Sequence, residues 1–141
     1  MGYFLLAVIA AAGLLVSIVC HLMGWLGVEP PGGKSLFVML NLGIFVVCIP
    51  LGILADRTKP KSGRDNFKHL LAELPKWARV AAVGLLIYAI LNYVSIMIRH
   101  EWRGISFSLK LRAFSGHWML FYGWAAAGFV ALARLARKRR K

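Results

Sequence analysis

Three polar side chains interrupt long apolar stretches of this chain: His21, Asn41 and Asn92. Each sits ~9 Å inside one end of its stretch, and the charge pattern assigns all three ends to the same side. His117 and Tyr122, at the head of a fourth stretch, can reach the same tier. Polar groups are costly in hydrocarbon, so they turn toward other helices and pair there. Two uses of the tier are open. One is a hydrogen-bonded clamp that fixes helix register, each bond worth ~0.6–2 kcal/mol. The other is a ligand, proton or cofactor site that opens outward.

Sharper chemistries find few residues to work with. A haem held between helices takes two histidines facing each other. His21 with His117 or His100 is the pairing on offer, and their expected depths differ. Haem is thus a minor alternative, and no cofactor is expected. No CxxC, HExxH or HxxxH spacing offers a metal site. Ser115-Gly116-His117 is not the G-x-S-x-G elbow of a hydrolase, and no second carboxylate orients the histidine. All five acidic residues fall outside the apolar stretches, which leaves no buried carboxylate to carry a proton. The residues argue against an enzyme without excluding one.

The elements that must position these groups are spanning helices. The 141-residue chain is 60% hydrophobic, with a mean hydropathy of +0.68. Its four apolar stretches are Tyr3–Val28, Ser35–Ala55, Val80–Ile98 and His117–Ala133, each close to the ~17–25 residues that cross a bilayer. Within hydrocarbon only helices and closed barrels satisfy their own backbone, and four such runs make helices. The expectation is an all-α, integral membrane, antiparallel four-helix bundle forming one domain. No basic run precedes the first stretch, which is too long for a signal peptide and is expected to stay as a span.

The connections refine this outline. "GVEPPGGK" makes a short turn, so the first two spans are antiparallel neighbours. Pro50 is expected to kink the second near Val46–Val47. After Asp65, a fitting N-cap, Phe67, Leu70, Leu71, Leu74 and Trp77 recur at helical spacing. That predicts a short amphipathic helix over 66–74 on the cytoplasmic surface, with its Lys and Arg toward headgroups and His69 solvated. In "ISFSLKLR" apolar residues alternate from Ile105 to Leu111, which predicts an extended segment along the interface or against a partner strand. Ser115 then serves as N-cap of the fourth span. His117, Trp118 and Tyr122 join Trp25, Trp77 and Trp102 in an aromatic belt.

Packing and orientation follow from small residues and charge. Ala10, Gly13, Ser17, Cys20, Gly24 and Gly27 form a seam at heptad-like spacing, the kind that lets helices approach closely in lipid. Ala81, Gly84, Tyr88, Asn92, Ser95 and Arg99 make a stripe on the third span, and Gly123, Ala127 and Ala131 one on the fourth. Cys20 and Cys48 fall in opposite leaflets, too far apart to bridge. Net charge is +13. With both termini cytoplasmic, thirteen of the 18 Lys and Arg lie inside and five outside, as the positive-inside rule requires. Arg137, Lys138, Arg139, Arg140 and Lys141 are accordingly expected to bind anionic lipid headgroups, not nucleic acid.

The stretch "FSGHWMLFYGWA", with "YAILNY" upstream, resembles an FSGHWMxFY signature of small bacterial four-helix membrane proteins to which no activity is attached. The resemblance covers about Trp77–Tyr122 and implies a bacterial inner-membrane setting. It singles out Phe114, Ser115, Gly116, His117, Trp118, Phe121 and Tyr122. The expected role is a non-enzymatic membrane subunit, assembly factor or interaction protein, packed against itself or within a larger membrane complex. A small transporter or channel using the polar tier is one alternative. A haem- or quinone-linked electron-transfer subunit is another.

Overall fold

A computed structural model describes residues 2–58, 66–99 and 106–138, with backbone alone at 66, 67, 69 and 99. Five helices follow one another: α1 (Gly2–Leu26), α2 (Gly33–Arg57), α3 (Asn66–Ala72), α4 (Lys76–Arg99) and α5 (Phe107–Lys138). No strand occurs among the described residues. Four of the helices, α1, α2, α4 and α5, are long and apolar enough to cross a membrane, and the protein is a multi-pass membrane protein. Asp65, Ile105, His100, Trp102 and the basic residues Arg139, Arg140 and Lys141 lie outside the described residues.

Local chemistry sets the helix ends. Gly27 takes a left-handed φ of +71°, and the Val28 N–H donates to Met23 O at 2.9 Å while the Gly27 N–H reaches Gly24 O. This is a Schellman close, which only a residue tolerant of positive φ makes cheaply. Gly32, at φ +86°, is the N-cap of α2 at the end of the Pro-Gly turn, and its carbonyl accepts the Ser35 and Leu36 N–H groups. Helix α2 stays helical across Pro50.

The largest departure from expectation concerns α5. It begins at Phe107, ten residues before the predicted span, and the "SFSLKLR" segment is helical from there on. Ser106 is its N-cap: its Oγ accepts the Leu109 N–H and its carbonyl accepts the Lys110 N–H. Ser115 and His117 therefore lie well inside the helix. The physical reason is legible afterwards. Phe107, Leu111, Phe114, Trp118, Tyr122, Ala125, Phe129 and Leu132 recur every three or four residues, a stripe far longer than the seven-residue alternation that suggests a strand. Phe107 and Phe114 bury that stripe against Phe37, with ring centroids 6.3 and 4.9 Å away.

At ~48 Å, α5 exceeds the ~30 Å hydrocarbon core and is the axis of the molecule. Helices α1 and α4 run antiparallel to it and α2 parallel. Its most extensive contact is with α1, followed by α4 and α2, whereas α1 meets α2 only narrowly. Its Leu111, Trp118, Ala125, Phe129 and Leu132 are fully or almost fully buried. The bundle is thus three helices laid round a fourth.

Helix α3 is shorter than its predicted span, ending at Ala72. Leu70 packs on the core and Leu74 is buried, so this segment folds back on α2 and α5. Trp77, expected on the same amphipathic face, belongs to α4 and is 75% exposed. Pro75 causes the break: it sits just ahead of α4, and its carbonyl accepts the Ala78 and Arg79 N–H groups. Both cysteines are free, Cys20 in the core and Cys48 half-buried.

Candidate functional site

The small-residue seam of α1 faces α5. Ala10, Ser17, Cys20, His21 and Gly24 are its buried residues. A Cβ on Gly24 would come within 2.9 Å of the Arg112 backbone nitrogen, so glycine there sets how closely the two helices approach. Gly13 on α1 and Gly43 on α2 leave the space that the Tyr122 ring fills from α5. Gly123 lies under Leu85 and Leu14, and Ala127 is half-buried. Gly84 departs from its predicted packing role: it is exposed, and a Cβ there would touch nothing. The α4 stripe that does meet α5 runs through Ala89, Asn92 and Ile96.

His21 is the busiest polar residue. Its Nδ1 is 2.8 Å from Ser115 Oγ, while Nε2 meets both Tyr88 Oη and, at 3.1 Å, Trp25 Nε1. An indole N–H only donates, so Nε2 must be the unprotonated nitrogen and Tyr88 Oη also donates to it. The proton then sits on Nδ1 and is given to Ser115 Oγ. Ser115 in turn donates to Arg112 O at 3.2 Å. Every proton in this chain of bonds has one direction. Ser115 has no base to take its proton, so the His–Ser contact is not a nucleophilic pair.

The other members of the tier do not reach His21. Asn41 donates to Phe37 O at 2.8 Å and accepts from Trp118 Nε1 at 3.2 Å. Tyr122 Oη donates to Leu40 O at 2.9 Å. Asn92 donates to Arg112 O at 3.1 Å, with Arg112 Nε 3.4 Å from its Oδ1. A Cβ on Gly116 would strike Asn92 Nδ2 at 2.9 Å, so the amide needs that glycine. His117 turns Nδ1 to Ala113 O at 3.1 Å and sets its ring edge-on to Tyr93. His21, Asn41 and Asn92 bond to α5 and not to one another, at Ser115, Trp118 and Arg112 respectively. A side chain that turns into the bundle from a surrounding helix reaches the axial helix first.

Four side chains take places other than those expected, and one glycine was missed. Trp118 is expected in an interfacial belt, but its side chain is fully buried and donates to Asn41; Tyr122, placed in both the belt and the tier, is buried as well, with 4% exposure. Arg112 was assigned to an outer loop, but it sits one turn into α5 with its guanidinium 3.6 Å over the Trp25 ring, a cation–π contact. Tyr88 lies about one helical turn from the exposed Gly84, sets its ring edge-on to His21 and gives it its hydroxyl proton. Gly43 could have been found: Leu36, Leu40, Gly43 and Val47 keep the 4–3–4 spacing of a packed seam.

The donor set can be tested against haem. Bis-histidine ligation needs a free ring nitrogen on each of two helices. Both nitrogens of His21 are engaged, so the pair considered from sequence does not fit. Among the described residues no group of three or more His, Cys, Asp or Glu could hold a metal ion. No family model, curated protein or solved structure matches the chain.

Proposed function

We propose that this protein is a non-enzymatic subunit or assembly factor of a larger complex, or homo-oligomer, in the bacterial inner membrane. One observation carries the reading. The polar side chains of the spans spend their hydrogen bonds inside the bundle, locking α1, α2 and α4 onto α5. A transporter or proton path needs polar groups that exchange partners with a solute, and His21, Asn41 and Asn92 each hold fixed ones. What remains on offer is a rigid apolar exterior. The 13-to-5 distribution of Lys and Arg supports an orientation with both chain ends in the cytoplasm. The FSGHWMxFY resemblance supports the bacterial setting.

The test pairs assembly with transport. Extracted in a mild detergent, the full chain is expected to migrate well above its 15.7 kDa, with a defined stoichiometry by native mass spectrometry. Reconstituted alone into sealed vesicles, it is expected to carry neither protons nor solutes. A flux abolished by Asn92→Leu, in protein that keeps its helix content, would replace this reading with the transporter.

A further inference from the structure

Helices α1 and α4 both lean on α5, and their backbones stay apart, with His21 and Tyr88 bridging them towards the Arg112 end of α5. Between them a groove of about 470 Å³ runs along the inner half of the bundle. Its space exists because the side chains around it are short: Ala7 and Ala11 on α1, Ala78 and Ala82 on α4, Gly123 and Ala127 on the α5 floor. The lining is almost wholly apolar. Even the Trp124 indole N–H turns away, donating to Ala82 O at 3.1 Å.

One end of the groove is different. Arg134 stands at the inner mouth beside Leu74, Pro75 and Trp77. Its Nη1 donates to Glu73 O at 3.0 Å, which holds the guanidinium at the opening and uses one of its five N–H groups. Arg137 follows one turn on, and the two arginines share two smaller hollows of about 290 and 240 Å³. The Glu73 carboxylate is taken by Lys138 at 2.7 Å. Among the described residues, Arg134 and Arg137 form no ion pair with a carboxylate.

A slot that is apolar along its length and cationic at its mouth fits one kind of occupant in a bilayer. We propose that the α1/α4 groove is a specific site for one anionic phospholipid, with an acyl chain over Gly123 and Ala127 and the headgroup phosphate at Arg134 and Arg137. Charge complementarity selects this occupant. Arginine offers a planar fork that matches phosphate, and basic pockets between spans at the inner face recognise anionic headgroups. A partner helix, ~10–12 Å across with its side chains, would cover the groove but leave both guanidinium groups without an anion.

Trp124 provides a probe in the groove wall. The full chain is placed in nanodiscs of phosphatidylcholine with a minor share of phosphatidylglycerol, bromine-labelled on the acyl chains of one lipid or the other. Quenching of Trp124 is read as the difference between wild type and Trp124→Phe. Brominated phosphatidylglycerol is expected to quench Trp124 well beyond its mole fraction. Each of Arg134→Gln and Arg137→Gln should weaken that preference about fivefold; both side chains are exposed, and unchanged helix content checks that each variant folds. Ala127→Leu, which fills the floor, should remove quenching by both lipids. Equal quenching by the two lipids in wild type overturns the proposal, as does a preference that survives the double arginine variant. Exclusion of both lipids from Trp124 in a dimer of the wild type overturns it too, and gives the groove to a second copy.

Discussion

Replacing Gly24 by alanine is the sharpest way to ask whether the α1–α5 seam holds the tier together. The new Cβ would lie 2.9 Å from Arg112 N and 3.1 Å from its Cα and Cβ. Carbon contacts rest at ~3.5–4.0 Å, and backbone cannot swing aside as a side-chain tip can. Helix α1 must therefore retreat by ~0.5 Å or more, a gap that forfeits about a quarter of each dispersion well along the seam. The retreat also stretches His21 Nδ1 from Ser115 Oγ, now 2.8 Å, beyond good hydrogen-bond length. Overpacking costs ~1–3 kcal/mol and the lost bond ~0.6–1.7 kcal/mol. The better helix propensity of alanine offsets ~0.5–1 kcal/mol. A net loss of about 1–4 kcal/mol is expected. Gly84→Ala is the internal control: the same exchange, also on a spanning helix, with nothing near its Cβ. It should leave stability unchanged or raise it by ~0.5–1 kcal/mol. Steric-trap unfolding of the full chain in bicelles measures both. Equal stabilities for the two variants would refute the close-approach account of the seam.

Three further outcomes follow from the hydrogen bonds. Nitrogen-15 spectra of histidine-labelled protein should show His21 neutral and protonated on Nδ1, because Trp25 Nε1 can only donate to Nε2; the opposite tautomer contradicts the bond directions. In a double-mutant cycle, Asn41→Leu and Trp118→Phe should couple by ~0.6–1.7 kcal/mol through the 3.2 Å bond between them, and a coupling near zero would deny its worth. Tyr122→Phe should cost ~0.6–1.7 kcal/mol by freeing Leu40 O, whereas Tyr122→Ala should cost ~3–5 kcal/mol by emptying the space beside Gly13 and Gly43. Unfolding in the same bicelles separates the two.

Much of this was legible in the sequence. Apolar runs of spanning length leave the backbone one way to satisfy itself, so four long helices were determined by composition alone. The seam from Ala10 to Gly24 was also readable, because small residues at helical spacing have one packing use in lipid. That His21, Asn41 and Asn92 turn into the bundle was readable too, since polar groups are costly in hydrocarbon.

Tertiary structure decided the partners. Which helix takes the centre depends on which carries the longest buried stripe, and in α5 that stripe was hidden by a short alternation from Ile105 to Leu111 that two periods explain equally well. With the helix started at Ser106, Ser115 ceased to be a cap and became the acceptor of His21, and Arg112 moved from a loop to a stack on Trp25. Depth along a helix is a one-dimensional quantity that a sequence carries. Direction round its axis, summed over four helices, is settled only when they close on one another.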